Sequence, residues 1–426
     1  MNGTQKKLVA PDGGWGWVIV AAHGLNFFLV FSIFQTFGLI YKNEFVRLGF
    51  TGAQSSIIMT TNGGLCMLCG LINGFLLNKF SVRKISFCSA TLMVSGLIMT
   101  AFSTTFLEFI IAYGIVTSVG IGMGMSSYAL AINTYFNKNR SKATAFAITI
   151  TGIGMILFPQ LISFLLANYS IKDTMLIISA VAAHTFVAAS LLQPVEWHMK
   201  PQETLDENEA CTENDKLFQQ QNHESGNTNV ICDDIATIHA SMISLDIDHN
   251  HPEQTATFMS IYSIADLCLK FSAPFLSAAL KQPSRIMLIG ALIGVASIRM
   301  FIPFVSNYIV LIALAVSTGA FRGARLVYWQ LVLPEYTSVE RLASAFGLLF
   351  SLNGFLMIVG GPALGAIRDK TGNYTACVIL LNSLALLTVL MWVQKFRSVG
   401  YRWGHAAETP LKRDGVMEKV LEFNFT

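Results

Sequence analysis

Apolar residues fall into blocks near 17–40, 54–77, 85–103, 106–130, 143–167 and 173–193, and again near 257–280, 286–303, 306–333, 342–367 and 374–394. Turns and charges separate the blocks. A hydrocarbon layer of ~30 Å takes ~20 helical residues to cross, and most of these blocks reach that length. The pattern predicts an all-α polytopic membrane protein: six spans, a polar linker, then five. The chain divides into an N-terminus of 1–16, a six-helix bundle at 17–193, an acidic loop at 194–256, a five-span bundle at 257–394 and a tail at 395–426.

Composition agrees with that pattern. Hydrophobic residues make up 53% and charged residues 12%, and the mean hydropathy is +0.55. A soluble core cannot absorb that much apolar surface, so most of the solvent is lipid. The net charge of +3 hides a division, because residues 194–254 hold thirteen Asp or Glu against two Lys. That composition buries too little apolar area to fold, and the loop is expected to be disordered and cytoplasmic. Seven cysteines are scattered without a disulfide framework or zinc spacing, and Cys66-x-x-Cys69 lies within a span. No metal, cofactor or nucleic-acid site is expected, and no nucleophile–base set suggests an enzyme.

Basic residues orient the first half. Lys79, Arg83 and Lys84 lie between spans two and three, and Lys138, Arg140 and Lys142 between spans four and five. Both loops are expected on the cytoplasmic side, with the N-terminus and both tails inside. The second half raises a conflict of parity. No apolar stretch between Pro194 and Gln254 reaches ten residues, so if Lys281 and Arg285 are cytoplasmic the preceding span must enter from outside, whereas the linker starts inside. Either 257–280 fails to cross or the second half inserts upside down. The readings are an alternatively spliced or incomplete chain, a re-entrant segment, or a true eleven-span topology.

An internal repeat appears at an offset of 200 residues: Ala143, Ala145, Phe146 and Gly154 recur as Ala343, Ala345, Phe346 and Gly354, each set after a basic residue, Arg140 or Arg341. Related halves joined by a hydrophilic loop are the mark of parallel-repeat transporters. The copies lie five spans apart where six are needed.

Ionisable residues inside spans cost about 2.5 to 3.5 kcal/mol on insertion scales unless paired or wet, which makes each a functional candidate. Asp266 and Lys270 share a helix face at i, i+4, and Arg322 and Arg325 share one at i, i+3. The arginines carry planar donor forks that suit a carboxylate. Asp266 neutralises one cation as a structural pair on one reading; on the other, the two remaining positive charges are balanced by an anionic substrate. His23, His184, Asn26 and Asn62 read as helix-packing residues. Asn168-Tyr169-Ser170 and Asn373-Tyr374-Thr375 match the glycosylation pattern but lie too close to the membrane to be used.

Two motifs carry a family resemblance. The entry to span one reads Pro11-Asp12-Gly13-Gly14-Trp15-Gly16-Trp17, with tryptophans that suit the interfacial belt. Tyr135-Phe136-Asn137-Lys138-Asn139-Arg140 precedes a small-residue run through Gly152 and Gly154. Together they resemble the signatures of the monocarboxylate transporters within the major facilitator superfamily, over roughly four fifths of the chain. The resemblance implies a two-bundle fold lacking family span seven, and transport of a small organic anion at the plasma membrane with a possible co-transported proton. A single-span accessory glycoprotein is a further implied partner. It also implies site residues: Asp266 and Lys270 match an acid–base pair in span eight, Gln35 falls at a lysine position in span one, and Gln330 near an aromatic in span ten. A neutral Gln35 donates hydrogen bonds but holds no charge, which favours a carboxylate-bearing solute over proton-coupled lactate or pyruvate. The rival reading is a non-transporting or regulatory truncated isoform; a receptor-like sensor is a third, without a signalling domain to support it.

Overall fold

The computed structural model describes residues 8–9, 11–136, 139–201, 252–280, 284–302, 305, 307–336, 339–371 and 375–404. Most of the expected loop 194–256, Lys281 and most of the expected tail lie outside the described residues.

The first half forms six helices: α1 (Gly16–Arg47), α2 (Gly52–Lys79), α3 (Val82–Phe102), α4 (Phe106–Tyr135), α5 (Arg140–Asn168) and α6 (Ile171–Leu191). The second half forms α7 (Pro252–Leu280), α8 (Ser284–Phe301), α9 (Tyr308–Tyr336), α10 (Val339–Thr371) and α11 (Thr375–Gly404). Polar caps mark where the chain turns. Thr51 and Gln54 exchange side-chain and backbone bonds at the start of α2, and Thr105 and Glu108 do so at α4, which satisfies donors a helix start otherwise leaves orphaned. Residues Ile110–Thr117 of α4 widen to a π-helix, and α6 breaks at Ala183.

Hydropathy and packing explain each other. Among the described residues, six helices are long and apolar enough to cross a membrane: α1, α3, α4, α5, α6 and the first part of α9. Among those that fall short, α2, α7 and α10 pack across the interface between the bundles, α2 on α10 and α7 on α5. A helix wrapped by protein needs fewer apolar residues than one facing lipid.

Both cross-bundle contacts are antiparallel. Ser260 Oγ donates to the Ile156 carbonyl at 2.7 Å, and Gln160 reaches Thr257 and Ser260 at 3.4 Å. On the other side Ser56 Oγ donates to the Gly361 carbonyl at 2.9 Å, and Gly64 lies against Gly354. Residues 56 and 60 of α2 thus stand where 256 and 260 stand in α7. The repeat is therefore a structural pseudo-two-fold, with α7 equivalent to α2. What the described second half lacks is a counterpart of α1.

This geometry decides the direction of α7. We call the end where α1 starts the near end. Because α7 runs antiparallel to α5, it starts at the far end and runs to the near end without turning back. It also begins at Pro252, five residues earlier than the apolar block. The helix runs the length of the bundle, antiparallel to α5.

The cross-bundle hydrogen bonds among the described residues lie in the far half. At the far end itself the Asp369 carboxylate accepts from Gly52 N at 2.7 Å and from Ala53 N at 2.9 Å. An acidic group at the start of α2 satisfies orphan donors and complements the helix dipole.

At the near end the first signature ties the bundle together. Asp12, at φ +49°, donates its N–H to the Tyr135 carbonyl and accepts from Asn139 N. Gly14, at φ +57°, turns the chain into α1, and Gly13 N-terminal to it accepts from Gly16 N. The Trp15 indole donates to the Leu191 carbonyl and stacks on His198. Trp17 is partly exposed and meets Phe136 and Phe146 edge to face. Leu8–Val9 (β1) pairs with Lys200–Pro201 (β2). The Arg140 side chain lies outside the described residues.

Candidate functional site

The charged residues of the second half meet because α7 and α9 lie backbone on backbone. A Cβ added at Gly319 would stand 2.3 Å from the Tyr262 carbonyl, and one at Gly323 would stand 2.3 Å from the Asp266 carbonyl. Small residues four apart let helices approach this closely in a membrane. The parallel run of the two helices then sets Arg322 beside Asp266 at mid-height.

Asp266 is the centre. Lys270 Nζ donates to Oδ2 at 2.6 Å, and Arg322 Nη1 stands 3.9 Å from Oδ1. The guanidinium also lies 5.3 Å from the centre of the Tyr262 ring, a favourable cation–π distance. Asp266 and Arg322 are each only 3% exposed, whereas the Lys270 side chain is 17% exposed. Buried charges persist when paired and hydrogen-bonded, and one carboxylate here serves two cations.

Gln35 reaches this cluster from the other bundle. Its amide donates to Ser263 Oγ at 3.2 Å, and Ser263 in turn donates to the Met259 carbonyl at 2.8 Å. Ser263 is one turn before Asp266 on α7. The geometry therefore unites four of the candidates, Asp266, Lys270, Arg322 and Gln35. Arg325 sits one turn beyond Arg322, partly buried. The Gln330 side chain lies outside the described residues.

Tyr262 and Ser263 escaped the sequence reading, since an uncharged polar residue in a span carries no distinguishing signal. The pair Gly319-x-x-x-Gly323 did carry one, as the small-residue spacing that predicts a close helix crossing. His23 is buried and stacks on Phe27 at 4.1 Å; His184 bonds the Val181 carbonyl of its own helix.

A polar cluster at mid-height, with Asp266, Lys270 and Arg322 from the second half and Gln35 from the first, is the arrangement expected of a membrane transporter. The model of the Major Facilitator Superfamily matches residues 16–219 and 230–417, and the chain belongs to that family. Its relatives include monocarboxylate transporter 13 of Rattus norvegicus, 24% identical over 394 residues and covering 88% of each chain. Monocarboxylate transporter 12 of Homo sapiens is 22% identical over 420 residues, covering 89% of this chain and 80% of that protein. The solved nucleoside transporter NupG superposes with a TM-score of 0.67 at 17% identity, over 90% of this chain and 99% of that one. The chain is a monocarboxylate-transporter-like, multi-pass member of the superfamily and not an enzyme.

Proposed function

We propose that this protein moves a small carboxylate-bearing organic solute across the plasma membrane by rocking its two bundles about the Asp266 cluster. The observation that supports this most is the charge cluster between α7 and α9. Lys270 and Arg322 both face the Asp266 carboxylate, and a cluster built from these cations suits a substrate carboxylate. Arg322 and Arg325 offer planar forks for it, and Lys270 is partly exposed. The neutral Gln35 completes the site with hydrogen bonds in place of charge, so proton coupling is not required for the cycle, and an accessory glycoprotein is an optional partner. Uptake into proteoliposomes of labelled monocarboxylates, set against amines of equal size, tests the reading. Selective carboxylate uptake supports it; uptake of amines alone refutes it.

A second reading is a non-transporting relative. It is favoured by the sequence between Pro194 and Gln254, where no apolar stretch reaches ten residues. Purified protein that binds carboxylates but shows no flux in the same vesicles would favour this reading.

A further inference from the structure

Lys270 and Arg322 meet Asp266 in different ways. Lys270 Nζ donates to Oδ2 at 2.6 Å, a directional hydrogen bond. Arg322 Nη1 stands 3.9 Å from Oδ1, beyond hydrogen-bond distance, so this attraction keeps the guanidinium close without aligning its plane. Alignment matters, because a planar fork receives a carboxylate through two parallel bonds. The Tyr262 ring, with its centre 5.3 Å from Arg322 Cζ, is a surface that a guanidinium stacks on.

The ring is itself held. Tyr262 is 3% exposed, and a Cβ at Gly319, one turn before Arg322 on α9, would stand 2.3 Å from the Tyr262 carbonyl oxygen. The next residue, Ser263, takes the bond from Gln35. Backbone pinned on both sides fixes the height of the ring against the guanidinium.

The first half shows that helix packing does not call for this ring. Through the repeat, residues 62, 66 and 122 stand where 262, 266 and 322 stand. A Cβ at Gly122 would lie 2.7 Å from the Cys66 carbonyl oxygen, so α2 and α4 approach nearly as closely as α7 and α9. There the place of Tyr262 is taken by Asn62, whose amide donates to the Tyr113 carbonyl at 2.6 Å, and the places of Asp266 and Arg322 carry no charge. An aromatic ring enters this layer only in the half that holds the buried guanidinium.

We infer that Tyr262 is a positioning residue: its ring holds the plane of the Arg322 guanidinium and so sets the fork for a substrate carboxylate, while Asp266 binds Lys270. The role toward substrate rests on the transport reading above; the ring–cation contact does not.

Two measurements on the full chain separate these parts. In protein with ¹⁵N-labelled arginine, Arg322→Lys identifies the Arg322 Nε–H resonance by its loss. That resonance is expected to be ring-shifted, with slow guanidinium rotation, in the parent and in Tyr262→Phe. Both features should vanish in Tyr262→Leu and in Tyr262→Met, a second ring-free variant that fills more of the space. An Arg322 resonance that is the same in the parent and the ring-free variants overturns the contact. In proteoliposomes, the KM for labelled butyrate is expected to rise about fivefold in the ring-free variants at unchanged maximal rate, and Tyr262→Phe should restore it. A fall in maximal rate at unchanged KM, or a Tyr262→Phe variant as weak as Tyr262→Leu, overturns the positioning role. A parent that takes up no carboxylate, with the ring-dependent resonance intact, refutes the transport reading and supports the contact.

Discussion

Gly323 of α9 lies against the backbone of Asp266 on α7, so close that a methyl group there would overlap the Asp266 carbonyl oxygen at 2.3 Å. Backbone cannot swing aside as a side chain can. Replacing Gly323 by alanine is expected to force the helices apart and cost about 1 to 3 kcal/mol, the usual range for overpacking a tight contact. The melting temperature of the detergent-solubilised protein should fall. Gly290, which has open space around its Cβ position, provides the control, and a Gly290→Ala variant should melt as the parent does.

Arg322 and Arg325 differ in burial and in contact with Asp266. If an arginine fork holds the substrate carboxylate, replacing that residue by lysine keeps the charge but removes the planar pair of donors. The apparent affinity for the carboxylate should weaken about tenfold, a loss of ~1.4 kcal/mol, at normal surface expression. Asp266→Asn should instead slow turnover, because it changes how the cations exchange partners. Unchanged affinity in both Arg→Lys variants would show that the arginines are structural.

Gln35 and Ser263 form the polar contact between bundles nearest to the charges. Removing either by alanine should cost about 0.5 to 1.5 kcal/mol of the closed arrangement, and the double variant should cost little more than either single one. Concentration-dependent initial rates of uptake give the comparison. Strictly additive effects would mean that the two side chains act separately. Gln35→Lys adds a cation next to Ser263 and should raise the apparent affinity for anions.

Asp369 accepts from Gly52 N and Ala53 N, and so closes the far end between α2 and α10. Asp369→Ala removes both acceptors, worth about 1 kcal/mol for a lost cap. The population should shift toward a far-open state by roughly fivefold on that scale. A cysteine at Thr60, buried beneath this contact, should then label faster from the far side, and Asp369→Asn should have an intermediate effect.

The sequence by itself determined that the chain lives in a membrane, roughly where each helix lies, with the first and last running seven and ten residues beyond their apolar blocks, and that two related halves exist. These properties follow from local periodicity and from the cost of charge in lipid, which act along the chain without regard to contacts. It also singled out Asp266, Lys270, Arg322 and Gln35, because a charge in an apolar run, or a neutral residue at an expected lysine position, stands out from its neighbours. It could not pair them, because Asp266 and Arg322 are separated by two intervening turns of chain and one whole helix.

Only the tertiary structure decided that Gly319 and Gly323 press α9 onto α7, that Ser263 links Gln35 to the cluster, and that Trp15 packs on His198. It also decided the direction of α7. Loop charge and span counting led to a contradiction there, because counting assumes that both flanks of a polar linker lie on one side. The packing of Ser260 on Ile156, and of Thr257 near Gln160, sets the helix antiparallel to α5 through contacts about 100 residues apart. Such contacts depend on which surfaces fit together in space, and no single segment encodes them.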